Sequence, residues 1–200
     1  RPYLLPRVRE RAIELGYSGD HVRRLPGVVP QPGLGLTICR IEPENNVDML
    51  IDGALRSGLA RYTVVGNWNA SAWGRALRAR HAHEPRLALL DPIYDADDLA
   101  RLRGSCAVYL HGHSVGGTNP SLVEMLFYDC RLLCVDVPFH HHTAGDCAGY
   151  FHDAASLAHS LDHPPEALGD RVRQRQRFTA ERIAQGYIAA LLDPGDGAGR

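Results

Sequence analysis

Residues 106–124 read Cys106-Ala-Val-Tyr-Leu-His-Gly-His-Ser-Val-Gly-Gly-Thr-Asn-Pro-Ser-Leu-Val-Glu124, which joins an apolar run, a loop of small residues and a helix start. The run 106–110 predicts a buried strand, and Pro120 and Ser121 open a predicted amphipathic helix over 122–128. A small-residue loop between strand and helix lets backbone N–H groups approach an anion, and the helix N-terminus adds partial positive charge. The stretch therefore predicts an anion-binding loop. It has neither the Gly-Lys-Ser/Thr of a Walker A loop nor the G-x-G-x-x-G spacing of a dinucleotide-binding turn.

Strand-like and helix-like segments alternate on both sides of this stretch. Because parallel strands need crossover connections, the alternation predicts an α/β fold, a Rossmann-like parallel sheet with helices on both faces. The loops 40–46, 66–69, 91–95 and 111–119 follow strands, so they are expected to form the ligand-binding edge. Predicted strands cover 34–39, 62–65, 87–90, 106–110, 132–135 and 150–151, and predicted helices cover 46–56, 71–82, 95–102, 154–160 and 165–192.

Composition shifts divide the chain into four predicted parts. Residues 1–33 read as a lead-in helix followed by a Pro- and Gly-rich linker, and residues 34–163 read as the Rossmann-like domain. A long C-terminal helix is expected within 164–193, and residues 194–200 form a tail.

The overall composition is that of a globular chain. It has 200 residues, of which 44% are hydrophobic, and a formal net charge of −1, so no global field attracts nucleic acid. No apolar run approaches the ~20 residues of a membrane span, and no secretory signal is visible. The five cysteines lie largely in apolar runs and predict reduced core residues of a cytoplasmic protein. All 22 basic residues are Arg, so any basic side chain that holds phosphate is Arg or His.

The stretch around Gly116 resembles the donor-site motif of family 4 GT-B glycosyltransferases, in particular a rhamnosyltransferase-like branch of polysaccharide assembly. That motif has a Glu followed by Gly, and a second Glu eight positions after the first. Gly116 stands at the first Glu position, Gly117 matches the Gly, and Glu124 matches the second Glu. The resemblance covers about residues 34–161. It implies that this chain is the C-terminal, donor-binding half of a GT-B enzyme.

The resemblance also implies a set of donor-binding residues. The family carries Arg and, five residues on, Lys after the first strand to hold the donor diphosphate; Arg40 matches, and Asn45 takes the Lys position. Glu124 is expected to face the cleft and to accept a ribose hydroxyl, and His113 is expected to donate to phosphate or sugar. Backbone groups are expected to meet phosphate or sugar oxygens at Gly116, Gly117, Thr118, Asn119, Ser121 and Leu122. The alternative for Arg40 and Glu124 is that both are merely solvated.

The implied activity is a hexosyltransferase reaction, specifically a rhamnosyltransferase one. A nucleotide-diphosphate sugar such as dTDP-rhamnose would give its sugar, with retention, to a polysaccharide or lipid-linked glycan acceptor. The sugar nucleotide is a substrate, and no cofactor or metal is expected. The acceptor would bind an N-terminal domain that this chain lacks, so the chain is expected to be an incomplete enzyme. Localisation is expected in the cytoplasm, with peripheral contact at the inner face of the membrane as a further option.

Two other functions stay open from the residues alone. A sugar-nucleotide epimerase of GT-B fold would turn over the donor without an acceptor, and a stand-alone nucleotide-binding module would only bind it. A metal site at His140, His141 and His142 is disfavoured, because three consecutive His on a loop cannot all ligate one ion. Arg171, Arg173, Arg175 and Arg177 are expected on a solvated helix face, without nucleic-acid binding.

Overall fold

The computed structural model describes residues 16–164 and 169–192. Six parallel strands form one sheet in the order β3-β2-β1-β4-β5-β6. The strands are β1 Gln31–Ile38, β2 Arg61–Val65, β3 Leu87–Leu90, β4 Cys106–His111, β5 Arg131–Val135 and β6 Ala148–Phe151. The helices are α1 Val47–Arg56, α2 Ala72–Arg80, α3 Ala96–Ser105, α4 Pro120–Leu126, α5 Pro138–Ala144, α6 Ala154–Asp162, α7 Arg171–Gln176 and α8 Ala180–Leu192. The predicted Rossmann-like α/β fold is confirmed.

Two hydrophobic cores cover the two faces of the sheet. On β4, Val108 and Leu110 join the core that contains the apolar faces of α1 and α6, whereas Tyr109 between them joins the core around α4. Strand side chains alternate between faces, so one apolar run supplies both cores.

Polar side chains cap most of the helices that follow strands. The predicted N-cap Ser71 accepts a hydrogen bond from the N–H of Gly74 at 3.0 Å. Asp95 accepts from Asp97 and Asp98 at 2.9 Å each. These caps satisfy donors that a helix start leaves free, and they place the helix boundaries close to those predicted.

The prediction of one long C-terminal helix is wrong. The chain forms α7 and α8, separated by Arg177–Thr179, because Phe178 turns inward and is buried in the core beside α4. Ala180 at the start of α8 donates its N–H to Asp20 at 2.9 Å. Residues 165–168 of that predicted helix, the lead-in helix predicted within 1–15 and the tail 194–200 lie outside the described residues.

Two other expectations about the C-terminal third are also corrected. His140, His141 and His142 lie within α5 and not on a loop. Arg171 and Arg175 are not on a solvated face: Arg171 donates to the carbonyls of Tyr128 and Cys130, and Arg175 donates to that of Leu126 at 2.5 Å. These guanidinium groups bind carbonyls at and beyond the end of α4, where cations are favourable.

Two features of the described part bear on the predicted class of protein. All five cysteines are free, and Cys106, Cys130, Cys134 and Cys147 are buried, which confirms them as core residues. Within residues 16–164 and 169–192, the helices are too short or too polar to cross a bilayer.

The contact of α1 with α6 leads to a prediction about Gly53. A Cβ atom there would lie 2.7 Å from Leu157 Cδ2 and 3.0 Å from the carbonyl oxygen of Ala154. Gly53→Ala gains up to ~1 kcal/mol of helix propensity, but overpacking costs about 1–3 kcal/mol, so a net loss of stability is expected. Chemical denaturation measures it.

The matched control for this substitution is Gly58→Ala, where the nearest atom to an added Cβ, Asp162 Oδ1, is 3.4 Å away. The control is expected to change stability by less than about 0.5 kcal/mol. A Gly53→Ala variant as stable as the wild type would show that α1 and α6 can separate at no cost.

Candidate functional site

The site lies where the order of the strands reverses. From β1 the chain adds β2 and β3 on one side, then returns to place β4, β5 and β6 on the other. The loops after β1 and β4 therefore leave the sheet in opposite directions and open a crevice at the carboxyl ends of these strands. The predicted ligand-binding loops 40–46 and 111–119 stand on the two sides of this crevice.

Three polar contacts fasten these two loops together. Ser114 donates its N–H and its hydroxyl to the carbonyl of Glu44, at 2.8 and 2.9 Å. Asn46 donates its side-chain amide to the carbonyl of Gly112 at 2.7 Å. A Cβ atom at Gly112 would lie 2.3 Å from the carbonyl oxygen of Asn45, so only glycine permits this approach of the two backbones.

The crevice contains a cleft of about 370 Å³ on the β4 side, called here the β4-side cleft. It brings together seven of the ten predicted donor-binding residues. Its lining is Ile38, Cys39, Arg40, Asn45, His113, Gly117, Thr118, Asn119, Pro120 and Ser121.

Backbone donors are available around this cleft. Asn119 caps α4 and accepts the N–H of Ser121 at 3.0 Å, so the predicted Ser121 backbone donor is already used. In the described part of the chain, no acceptor is paired with the N–H groups of Gly117, Thr118 or Leu122. Leu122 is fully buried and lines neither cleft, so the structure does not bring its backbone N–H to the ligand-binding surface.

A second cleft of about 390 Å³, called here the β3-side cleft, adjoins the first. Ile38, Cys39, Arg40 and Ser121 line both clefts. Its other walls come from the end of β2 and from the loops after β2 and β3, namely Val65, Gly66, Asn67, Pro92, Ile93 and Tyr94.

Sequence reasoning placed the loop 91–95 at this edge but did not identify Ile93 and Tyr94 as site residues. The Tyr94 side chain is 89% exposed, although large aromatic groups usually bury most of their surface. An aromatic residue in a loop at the carboxyl end of a strand was the available signal.

Arg40 stands at the junction of the two clefts. Its side chain is exposed, and no carboxylate pairs with its guanidinium among the described residues. Two hydrogen bonds hold the backbone at Arg40 in place. The N–H of Ile41 donates to Asn67 Oδ1 at 2.7 Å, and the carbonyl of Arg40 accepts from Asn45 Nδ2 at 2.8 Å. The arrangement presents an unpaired cation to both clefts.

Asn45 and His113 form a pair inside the β4-side cleft. Asn45 is buried, and its Oδ1 lies 2.9 Å from His113 Nδ1. Since its Nδ2 already donates to Arg40, the amide has contacts on both sides and holds the loop and the imidazole in place. Desolvation lowers the pKa of His113, and the nearby Arg40 lowers it further while Glu44 raises it.

Glu124 is placed differently from the expectation that it faces the cleft. It lines neither cleft; instead its carboxylate forms an ion pair with Arg103 of α3 and accepts the hydroxyl of Tyr17 at 2.9 Å. Only 12% of the Glu124 side chain and 14% of Arg103 are exposed, so solvent screens this pair weakly. Desolvation and the contact with Glu124 raise the pKa of Tyr17 to about 12.

A group of aromatic and imidazole rings lies behind the β4-side cleft. His111 and His140 are buried with their ring centroids 4.7 Å apart, and Nε2 of each has no partner in the described part of the chain. His140 Nδ1 lies 2.8 Å from the carbonyl of Val135. Desolvation lowers the pKa of His140 to about 4 and that of His111 well below its usual value. Within residues 16–164 and 169–192, no group of three or more His, Cys, Asp or Glu is arranged to hold a metal ion.

No protein-family model matches the chain, and no curated protein matches its sequence. Solved structures match its fold. AviGT4, a glycosyltransferase involved in avilamycin A biosynthesis, has a TM-score of 0.69 at 13% identity, over 92% of this chain and 58% of its own. The pneumococcal O-GlcNAc transferase GtfA, in complex with UDP and GlcNAc, has a TM-score of 0.63 at 18% identity. The match covers 90% of this chain and 37% of the GtfA chain. Anabaena HepE, in complex with UDP-glucose, has a TM-score of 0.65 at 17% identity. The match covers 80% of this chain and 48% of the HepE chain.

At these identities the likeness shows a shared Rossmann-like α/β fold. The chain spans 37–58% of the length of these three structures.

The ion pair of Glu124 predicts a structural role. Glu124→Ala leaves the mostly buried Arg103 without its carboxylate, and a loss of about 1.5–3 kcal/mol in unfolding free energy is expected. Glu124→Gln keeps one acceptor oxygen and should lose less. Chemical denaturation measures both, with Glu181→Ala on the exposed face of α8 as the control. If both Glu124 variants keep wild-type stability but lose nucleotide affinity, the carboxylate serves the ligand instead.

The buried imidazoles predict a pH dependence of stability. In the unfolded chain His140 takes up a proton near pH ~6.5, whereas burial holds its folded pKa at about 4. The unfolded state therefore binds more protons between these values, and stability falls as the pH drops through this window. The expected loss from His140 at pH 5 is about 2 kcal/mol.

The variant that isolates this effect is His140→Asn, since an amide can still donate to Val135 but does not titrate. The slope of stability against pH is expected to flatten in His140→Asn and to stay unchanged in His83→Asn, where the imidazole is exposed. Equal slopes in all three proteins would show that His140 is not held neutral.

Proposed function

We propose that this chain binds a nucleotide-diphosphate sugar and forms the donor-binding, C-terminal half of a GT-B glycosyltransferase of family 4. The observation that carries the proposal is Arg40, an exposed guanidinium without a carboxylate partner, at the junction of two clefts. Arg binds phosphate through charge-assisted, often bidentate hydrogen bonds, which suits a diphosphate that links two chemically different groups.

The chemistry of the two clefts supports this division of the ligand. Pro92, Ile93 and Tyr94 give the β3-side cleft an apolar and aromatic wall, which suits the flat face of a nucleobase. The β4-side cleft offers the backbone donors of Gly117 and Thr118, which suit phosphate and sugar oxygens. The likeness in fold to structures in complex with UDP or UDP-glucose agrees with this assignment.

The proposed reaction is transfer of the sugar to a hydroxyl of a polysaccharide or lipid-linked glycan, with retention. Negative charge develops on the leaving diphosphate, and Arg40 with the backbone N–H groups of Gly117 and Thr118 would stabilise it. Such preorganised donors act most strongly where the charge forms. The acceptor is proposed to bind a further domain, and dTDP-rhamnose is the proposed donor on the resemblance alone.

The proposal predicts a selective effect of Arg40→Ala on ligand binding. The affinity for UDP is expected to fall by about tenfold to a hundredfold, because a charge-assisted contact to phosphate contributes about 1.5–3 kcal/mol. The affinity for uridine should change little, since uridine carries no phosphate. Isothermal titration calorimetry of the 200-residue chain with both ligands measures the difference.

The control for charge is Arg61→Ala, because Arg61 is exposed at the first residue of β2, at the opposite end of the sheet. It should leave both affinities unchanged, and neither variant should lower the melting temperature. Equal losses for UDP and uridine in Arg40→Ala would remove Arg40 from the phosphate site.

A further inference from the structure

The orientation of the Asn45 amide determines the state of His113. Asn45 Nδ2 donates to the carbonyl of Arg40 at 2.8 Å, so the other end of the amide, Oδ1, faces His113 Nδ1 at 2.9 Å. An amide oxygen only accepts, and therefore Nδ1 carries the hydrogen of this contact. In a neutral imidazole with its hydrogen on Nδ1, Nε2 holds a lone pair and is a hydrogen-bond acceptor.

Gly116 lies beside this nitrogen, and His113 itself lines the β4-side cleft. The backbone of Gly116 has φ +124°, a conformation that residues with a side chain rarely adopt. A Cβ atom at this position would lie 3.3 Å from His113 Nε2. Because Gly116 has no side chain, the imidazole of His113 can lie close to the loop, with Nε2 beside the backbone of the glycine.

Partial burial is the main reason that His113 favours its neutral form. Burial disfavours a proton on the ring most strongly, the nearby Glu44 favours one, and Arg40 disfavours one. The neighbouring ring of His111, 6.3 Å away, and that of His140 are themselves buried and neutral. Because the effect of burial outweighs that of Glu44, the pKa of His113 lies below its ordinary value.

We propose that His113 Nε2 accepts a hydrogen bond from a hydroxyl of the donor sugar and thereby distinguishes the sugar nucleotide from the free nucleoside diphosphate. The inference rests on the proposed function. Phosphate oxygens at neutral pH offer no hydrogen to an imidazole lone pair, whereas every sugar hydroxyl does. The diphosphate then belongs to Arg40 and the backbone donors, and the sugar to His113.

The variant that tests this role is His113→Asn. Its side-chain amide can still donate to Asn45 Oδ1 and so keep the loop in place, but it lacks the atom at the Nε2 position. Calorimetry on the full chain first measures two ligand pairs against the wild type, UDP with UDP-glucose and dTDP with dTDP-rhamnose. The pair that binds the wild type is then measured with the variants. The affinity for the sugar nucleotide is expected to fall about tenfold, and that for the nucleoside diphosphate less than twofold. His83→Asn, at an exposed site, should change neither.

The pH profile separates an acceptor from a phosphate-binding cation. Protonation of His113 removes the lone pair, so the ratio of sugar-nucleotide to nucleoside-diphosphate affinity should fall in wild type between about pH 7.5 and pH 5. The ratio should be flatter in His113→Asn, and comparing the two proteins cancels the titration of the terminal phosphate.

Three results would overturn the inference. Equal loss of both ligands in His113→Asn would make the residue structural or a phosphate contact. A wild-type preference for the sugar nucleotide that rises in acid would make the imidazole a donor. The third result is that nucleoside diphosphates bind the wild type and sugar nucleotides bind no more tightly in any variant or at any pH. That result would rule out the sugar contact and leave the proposed function standing. Failure of all four ligands to bind wild type would instead remove the proposed function, and the inference with it.

Discussion

The site depends on the contact between the loop after β1 and the loop after β4. Glu44 and Asn46 bind Ser114 and Gly112 through backbone and amide hydrogen bonds, so the two loops are held at one separation. The absence of a side chain at Gly112 permits this approach. Because these loops leave neighbouring strands in opposite directions, the crevice between them would otherwise have no fixed width. The positions of Arg40 and His113 follow from this contact.

A chain without lysine uses arginine for two different tasks. Arg86, Arg171 and Arg175 donate to backbone carbonyls at or beyond the ends of helices, including the carbonyl of Leu55 at 2.5 Å from Arg86. Arg103 neutralises Glu124 in a nearly buried pair. These guanidinium groups are bound to intramolecular acceptors, whereas the Arg40 guanidinium has no acceptor among the described residues. The same side chain thus stabilises structure where carbonyls surround it and remains available for a ligand where none do.

The sequence predicts the sheet well because apolar runs between turn residues are local signals. The predicted strand 87–90 matches β3 in full, and Ser71 and Asp95 start the helices that they were expected to start. The break between α7 and α8 was missed because apolar residues recur at helical spacing on both sides of it, whereas the burial of Phe178 depends on a distant core. Helix α5 was missed because its three consecutive histidines show no amphipathic period. In the first case a tertiary contact overrides the local pattern, and in the second the local pattern gives no helix signal.

The sequence predicts which residues lie at the site, but it does not predict which of their polar atoms remain unpaired and available to a ligand. Seven of the ten predicted residues line one cleft, because motif spacing and strand order place them there. Which atoms remain available depends on partners far away in sequence: Arg103 and Tyr17 take the Glu124 carboxylate, and the amide of Asn45 binds Arg40 and His113. Among the polar groups that line the β4-side cleft and have no intramolecular partner in the described residues are the guanidinium of Arg40 and Nε2 of His113. One is a cation and the other a neutral acceptor, and a sugar nucleotide offers the complement of each.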